Sequence, residues 1–363
     1  MRRFRLLLAL AATGGLVGPA VAAEPGGGGL RGAAPVLRRF AGGRIEGWIL
    51  ACDNTRICRA QPVSSDGSLM VRRDPGPDGS LLVVLDGQDP SAGPSMPDPA
   101  SIRVAGAGRL APAPWRLDRA AESARLEGAA ALRFVRAIAD AQTLTYRAGG
   151  EERTVPLRGM KAALLAMDVA QGRTNGVTAF TRIGPRTRAQ VLPALPVPVL
   201  HVPRPPVPAA LPASFAARVR QASRRLLARA GCEPAPRNPA LAFALNRTEA
   251  IVLMECSYGP TIVSYLLVRA RRADPRRVRR ILLPRLPGED ENFDPGNPLY
   301  PFAEWDPATA SLTTMSWSCA HTCGENGRWV FDGRSFVVAE HMIYQGGGAE
   351  VLDLYRTEVR LAR

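Results

Sequence analysis

The sequence predicts a β-rich α+β protein: two β-sandwich-like domains with a few short helices, joined by a proline-rich linker. Three observations carry that expectation. Short apolar runs recur between turn residues along most of the chain, and Gly 35 and Pro 33 supply the turns. Helical periodicity shows in only three segments. Residues 192–213 read LPALPVPVLHVPRPPVPAALPA, and eight of them are proline. Proline excludes helix interiors and central strands and favours an extended path, which would span roughly 70 Å at about 3.1 Å per residue.

The chain opens with a signal-peptide pattern over residues 1–23. Arg2, Arg3 and Arg5 form a basic start, Leu6 to Val17 an apolar core, and Ala20-Val21-Ala22-Ala23 a run of small residues suited to cleavage. The apolar core is short for a membrane span. Residues 24–39 follow as a glycine-rich flexible spacer. A mature chain beginning near Glu24 is expected in the periplasm, or outside the cell, of a Gram-negative bacterium, with no transmembrane segment after cleavage.

Residues 40–191 form the first expected domain. RIEGWILAC alternates as a strand, as do SLMVRR, SLLVVLD and ASIRVAG. From Ser123, a candidate N-cap, Leu126, Ala130, Phe134 or Val135, and Ile138 recur at helical spacing. LTYRA and ERTVPL read as a hairpin turning at Gly149-Gly150. A short helix is expected over 160–170, apolar at Ala163, Leu164 and Met167 and closed by Gly172. VTAFTRIG then reads as strand again.

Residues 192–213 are the linker and 214–363 the second domain. Ser214 is placed to cap a helix running to Ala230, with Phe215, Val219, Ala222, Leu226 and Ala230 as its buried stripe and Gly231 as its stop. Such a helix either docks on its own domain or lies on a lipid surface; the modest apolar face favours docking. The remainder is strand-like, and Asp332-Gly333 marks a hairpin.

Formal charge is +15, from 47 basic and 32 acidic residues, and Lys161 is the single lysine. Loss of the three signal arginines leaves +12. So basic a chain attracts polyanions such as lipid phosphates, lipopolysaccharide and nucleic acid, without specificity for any nucleic-acid sequence. The densest segment, VRARRADPRRVRR, carries Arg269, Arg271, Arg272, Arg276, Arg277, Arg279 and Arg280 against Asp274 alone. Guanidinium forks suit phosphate, so these seven are the candidate polyanion-binding residues. The competing reading is an exposed turn in an arginine-biased protein, paired partly with the acidic loop of Glu289, Asp290, Glu291 and Asp294.

The six cysteines are Cys52, Cys58, Cys232, Cys256, Cys319 and Cys323. An even count behind an export signal implies disulfides. Fifteen connectivities are open, and proximity favours Cys52–Cys58, Cys232–Cys256 and Cys319–Cys323. No cofactor or metal is expected. Cys319, His321 and Cys323 could be read as a metal site, but zinc takes four ligands as a rule, the other histidines are His201 in the proline-rich stretch and His341, and an exported thiol pair is more often oxidised. His341 with Asp332 and Ser335 permits a Ser-His-Asp arrangement on paper, yet no nucleophile elbow positions it, and a surface histidine at a strand end is the simpler reading. Catalytic residues are therefore unknown, and the acidic loop lacks the alternation of a calcium loop.

Three segments together resemble the bacterial domain of unknown function 1176 family. WILACDNTRICRA is similar to its N-terminal signature, LRGMKAALLAMDVAQGRTNGVTAFTRIGP to its second and CGENGRWVFDGRSFVV to its third. The resemblance covers most of residues 40–190 and 232–360. The N-terminal half is also remotely similar to invasion-associated locus B proteins, small exported β-rich domains. SWSCAHTCG stands where family members carry a Gly-Arg-Gly-rich stretch. Gln345-Gly346-Gly347 stands where they carry a cysteine before a glycine pair, which implies Cys319 as the substitute partner of Cys323. The resemblance implies export and no agreed activity.

Two functions are expected on these grounds. The first is a non-catalytic envelope or periplasmic module that binds an anionic envelope polymer or another envelope protein. The second is a secreted hydrolase of envelope glycans, which needs two paired carboxylates, one of them buried. Inhibition of host lysozyme is disfavoured because two basic partners repel.

Overall fold

In the computed structural model the described residues are 36–41, 47–63, 67–87, 95–108, 110–203, 211–260, 262–286, 299–318, 323–344 and 351–362. The expected signal peptide and most of the spacer lie outside them, as do the acidic loop, Cys319 and His321. The described residues belong to one compact unit, Arg31–Arg363. Strand outweighs helix, as the composition predicts, and the sheets are almost wholly antiparallel and none is closed.

The first half contains β1 (Val36–Ala41), β2 (Gly47–Cys52), β3 (Cys58–Pro62), β4 (Ser68–Arg73), β5 (Leu81–Asp86), β6 (Pro97–Ala105), β7 (Arg116–Asp118), β8 (Ser123–Glu127), α1 (Gly128–Ile138), β9 (Thr143–Ala148), β10 (Glu151–Pro156) and α2 (Met160–Ala170). A seven-stranded sheet runs β1-β2-β3-β4-β5-β8-β7, and β10-β9-β6 forms a smaller one. Trp48, Leu50, Val71, Val83 and Leu126 meet Val135 and Ile138 of α1 and Leu164 and Met167 of α2 in one core. The Trp48 indole donates to the Pro156 carbonyl at 2.9 Å, so its polar atom is satisfied inside that core.

Two local expectations are corrected here. Residues 123–127 are strand rather than the start of the helix. Ala124 and Leu126 are buried, and Arg125 and Glu127, which alternate with them, are less so, which is period two. The segment pairs with β5, and Gly128 at φ +59° turns the chain into α1. VTAFTRIG is not a strand either, for a reason that belongs to the polar network below.

The second half contains β11 (Val199–Val202), α3 (Phe215–Ala222), α4 (Arg224–Arg229), β12 (Leu241–Ala244), β13 (Glu249–Tyr258), β14 (Val263–Arg271), β15 (Val278–Arg280), β16 (Tyr300–Pro301), β17 (Glu304–Asp306), β18 (Ser311–Ser318), β19 (Cys323–Phe331), β20 (Phe336–Tyr344), β21 (Leu352–Arg356) and β22 (Glu358–Leu361). One sheet runs β12-β13-β14-β15 with β16 on β14, another β17-β18-β19-β20-β21. Ile251, Leu253 and Leu267 of the first share a core with Leu312, Trp329 and Phe336 of the second. The opposite face of the first, Val252, Met254 and Val268, is covered by Phe215, Val219 and Leu227.

The predicted helix after Ser214 is therefore docked on its own sheet. It is broken into α3 and α4 at Ser223, and the Ser214 side chain makes no capping hydrogen bond. The buried stripe passes through Ser223 and Leu227 at i+4 spacing from Phe215 and Val219, not through Ala222.

The two halves meet along β2. Its outer face, Ile49 and Ala51, packs on Ile343, Leu352 and Leu354, so a strand that alternates like a half-exposed one is buried on both sides. Part of the proline-rich stretch also takes part: β11 lies parallel to β22, with Val199 opposite Glu358 and Val202 opposite Leu361.

Candidate functional site

The arginine segment folds as the β14–β15 hairpin. Arg269 and Arg279 stand opposite each other and both reach Glu249 of β13, at 3.5 Å and 3.0 Å. Arg269 also lies over the Phe331 ring, 4.7 Å from its centroid, and donates to the Arg334 carbonyl. Burial lowers its pKa against the pull of Glu249, which marks it as a structural cation. Arg272 donates to the Asn246 and Arg247 carbonyls. Arg277 lies 3.6 Å from Asp274, exposed, and Arg280 is half-buried. Arg271, Arg276, Arg277 and Arg279 are exposed. The seven arginines are thus brought to one hairpin, but only part of the set faces solvent. Among described residues, their carboxylate partners are Glu249 and Asp274.

The local disulfides Cys52–Cys58 and Cys232–Cys256 are formed. The first closes the loop of the N-terminal signature. Asp53 Oδ1 accepts from Thr55 N, Thr55 Oγ1 and Ile57 N, which shapes the turn. The next residue clamps the other half of the chain: Asn54 donates to the Arg356 carbonyl at 3.0 Å and accepts from Arg356 N at 3.1 Å. The Arg356 guanidinium answers with Asp53, 2.9 Å, and Thr55 Oγ1, 2.9 Å. Arg59 joins Asp353 at 2.7 Å beside them.

The second signature builds a buried polar network behind that loop. Gln171 donates to the carbonyls of Arg56 and Arg73. Arg173 is 1 % exposed, donates to Gln171 Oε1, Thr178 Oγ1 and the Asp74 and Gly76 carbonyls, and has its pKa lowered by burial. Asp168 is fully buried, 3.5 Å from Arg73, and accepts from Phe180 N at 2.8 Å. Burial pushes Asp168 up to about 6 and pulls Arg73 down to about 9, so desolvation outweighs the attraction between them.

This network is why VTAFTRIG is no strand. Arg136 takes the Val177 and Ala179 carbonyls, Arg73 the Thr178 carbonyl and Asp168 the Phe180 N–H. Side chains satisfy the backbone groups that a ladder would otherwise pair. The arrangement holds the segment together.

The third signature borders a cavity of about 270 Å³. Ser316 of β18 stands opposite Glu325 of β19, and Thr314 opposite Gly327. These polar groups form one wall. Leu283, Leu286, Tyr300 and Trp329 form much of the apolar side, and Arg285 also lines it. The Trp329 indole donates to the Pro284 carbonyl at 2.8 Å, and the Tyr300 hydroxyl accepts from Leu283 N at 2.9 Å, so both rings hold the 283–286 segment in place. Gly327 permits this: a Cβ there would stand 2.5 Å from the Trp329 ring.

Behind Glu325 lies His341. The expectation of a surface histidine at a strand end is corrected: His341 is fully buried within β20, opposite Gly327, with Nε2 2.5 Å from Glu325 Oε1. Asp332 and Ser335 do not join it. They bond each other in the β19–β20 turn, and Ser335 lies six residues before His341, about 20 Å along the strand. His201 is exposed on β11. Among the described residues no group of three His, Cys, Asp or Glu side chains is placed to hold a metal. Sequence reasoning did not single out Glu325, Trp329 or Tyr300. The available signal was Glu325 and Trp329 at even spacing in a strand whose third partner, Gly327, leaves room between them.

Among the described residues no helix is long and apolar enough to cross a membrane. No curated protein and no solved structure matches the chain. Residues 44–345 match the family described as a protein of unknown function (DUF1176), a span that contains all three signatures, both formed disulfides, the basic hairpin and the cavity, and the chain belongs to that family.

Proposed function

We propose that the protein is an exported, non-catalytic envelope module, built as two β-sandwich-like halves, that binds an anionic envelope polymer through the β14–β15 hairpin. The observation that carries this reading is the way Glu249 grips Arg269 and Arg279 from the neighbouring strand. Half-buried Arg269 anchors the hairpin, while Arg271, Arg276, Arg277 and Arg279 are exposed along it. Guanidinium forks suit phosphates, and an anchored hairpin brings several of them to one place. Two disulfides suit an oxidising compartment and support export to the periplasm or beyond.

Lipopolysaccharide is the probe. The protein is expected to bind it weakly, with affinity falling steeply between low and physiological salt as counterions are released. Replacing Arg271, Arg276, Arg277 and Arg279 together by serine should lower both the affinity and its salt dependence, with circular dichroism unchanged because Arg269 still holds Glu249. Unchanged binding would reduce the hairpin to a solvated turn.

A second reading, a secreted hydrolase of envelope glycans, draws support from Glu325, a half-buried carboxylate backed by an imidazole at a cavity wall. A glycosidase needs a second carboxylate about 5–10 Å away. The buried acids Asp53, Asp168 and Glu255 are held by Arg356, by Arg73 and by Arg237 N with Asn238. That leaves binding as the stronger proposal.

A further inference from the structure

The cavity in the second half has chemistry that the polyanion reading does not use. Its volume, about 270 Å³, is roughly twice the ~150 Å³ that admits a benzene ring. The polar atoms of both aromatic walls are engaged with the backbone, Trp329 Nε1 with Pro284 and the Tyr300 hydroxyl with Leu283. What these side chains offer a ligand is therefore ring surface, whose faces are negative. The facing wall carries a carboxylate and two hydroxyls on neighbouring strands: Glu325 opposite Ser316, with Thr314 one pair further along. Buried His341 meets one carboxylate oxygen, Oε1, and so orients the group.

We propose that this cavity is a binding site for a compact organic cation, a primary ammonium on an apolar or aromatic body of about eight to twelve non-hydrogen atoms. The ammonium sits against Glu325, with Ser316 and Thr314 as further acceptors. The apolar body fills the space between Leu283, Leu286 and Trp329. A carboxylate and aromatic rings lining one small space favour a positive charge on both counts. Arg285 is exposed on the same rim and sets the competing expectation, a site for an organic anion.

Titration calorimetry of the full mature chain with benzylamine, benzyl alcohol and phenylacetate separates these cases. Benzylamine is expected to bind at least tenfold more tightly than either of the others. Glu325→Gln keeps the shape of the side chain and an acceptor for His341, and should remove that preference. Ser316→Leu, which fills the space from the opposite strand, should abolish binding of every probe and so place the site even if Glu325→Gln folds poorly. Benzyl alcohol within twofold of benzylamine, tighter phenylacetate, or benzylamine binding that survives Ser316→Leu would each overturn the proposal. None of these outcomes bears on lipopolysaccharide binding by the hairpin.

Discussion

Asp168 shows how little a single residue's role can be read from its neighbours in sequence. In the helix MKAALLAMDVA it is the one acid among apolar residues, and a solvated position would be the ordinary reading. The fold instead buries it completely against Arg73, where it organises residues 177–181. Its carboxyl is raised from the ordinary 3.8 to about 6 by burial. Between those values the folded chain holds a proton that the unfolded chain has released. Folding stability from this group is therefore full below the lower value, falls as pH rises through the window, and is level above it. The decrease is on the order of 3 kcal/mol. Urea unfolding between pH 3.5 and 7 should show the wild type losing stability across the window relative to Asp168→Asn, which has no proton to lose. Parallel curves for the two proteins would refute the assignment. Asn54 teaches the same lesson. Its identity suits a turn, but its work is to pair with the backbone of Arg356, 302 residues away.

At the scale of elements, period-two and turn signals were the reliable part of the sequence. The Gly149-Gly150 and Asp332-Gly333 hairpins and the 160–170 helix occur where spacing places them. The misreadings share a cause. Leu126 sits at helical spacing from α1 and at strand spacing from Ala124, and its partner strand β5, forty residues back, decides between them. Tertiary contacts also split the helix after Ser214. The Cys232–Cys256 bridge then fastens the end of α4 to β13, helped by Glu233 N donating to the Cys256 carbonyl. With sequence separations of 6 and 24, loop-closure arithmetic gives about 2.4 kcal/mol for Cys52–Cys58 and about 3.5 kcal/mol for Cys232–Cys256. Replacing both Cys232 and Cys256 by serine should lower the unfolding free energy by roughly that larger amount. It should also raise hydrogen exchange in α3 and α4 before it does so in β9 and β10. A loss below about 1 kcal/mol, or exchange that rises evenly, would mean that packing of Phe215, Val219 and Leu227 holds the helices without the bridge.

For the whole molecule, the proline-rich stretch suggests a division in the sequence, whereas residues 31–363 form one compact unit holding several apolar cores. The contact between the parts was not legible, because its members look ordinary one at a time. Ile49 and Ala51 read as the alternate face of a strand, Ile343 and Leu352 likewise, and only the assembled fold sets them together. That contact changes what cutting the proline-rich stretch should do. An open tether would release two fragments once cut. Here the apolar cluster is bordered by the Arg59–Asp353 and Arg356–Asp53 ion pairs and by the Asn54 clamp, and β11 is laid along β22. Both ion pairs are partly buried, so desolvation offsets much of their attraction. The buried apolar side chains and the four-residue ladder supply the rest. A specific protease site engineered at Arg204-Pro205 should therefore yield two polypeptides on a denaturing gel that still co-elute by size exclusion at micromolar concentration. Adding Arg356→Ala and Leu354→Ser should let them separate, since these remove the clamp's guanidinium and a member of the apolar cluster. Separate elution of the cleaved wild-type fragments would mean that the halves are held by the chain alone, and that the surface formed by β2 and β21 is too weak to act as an interface.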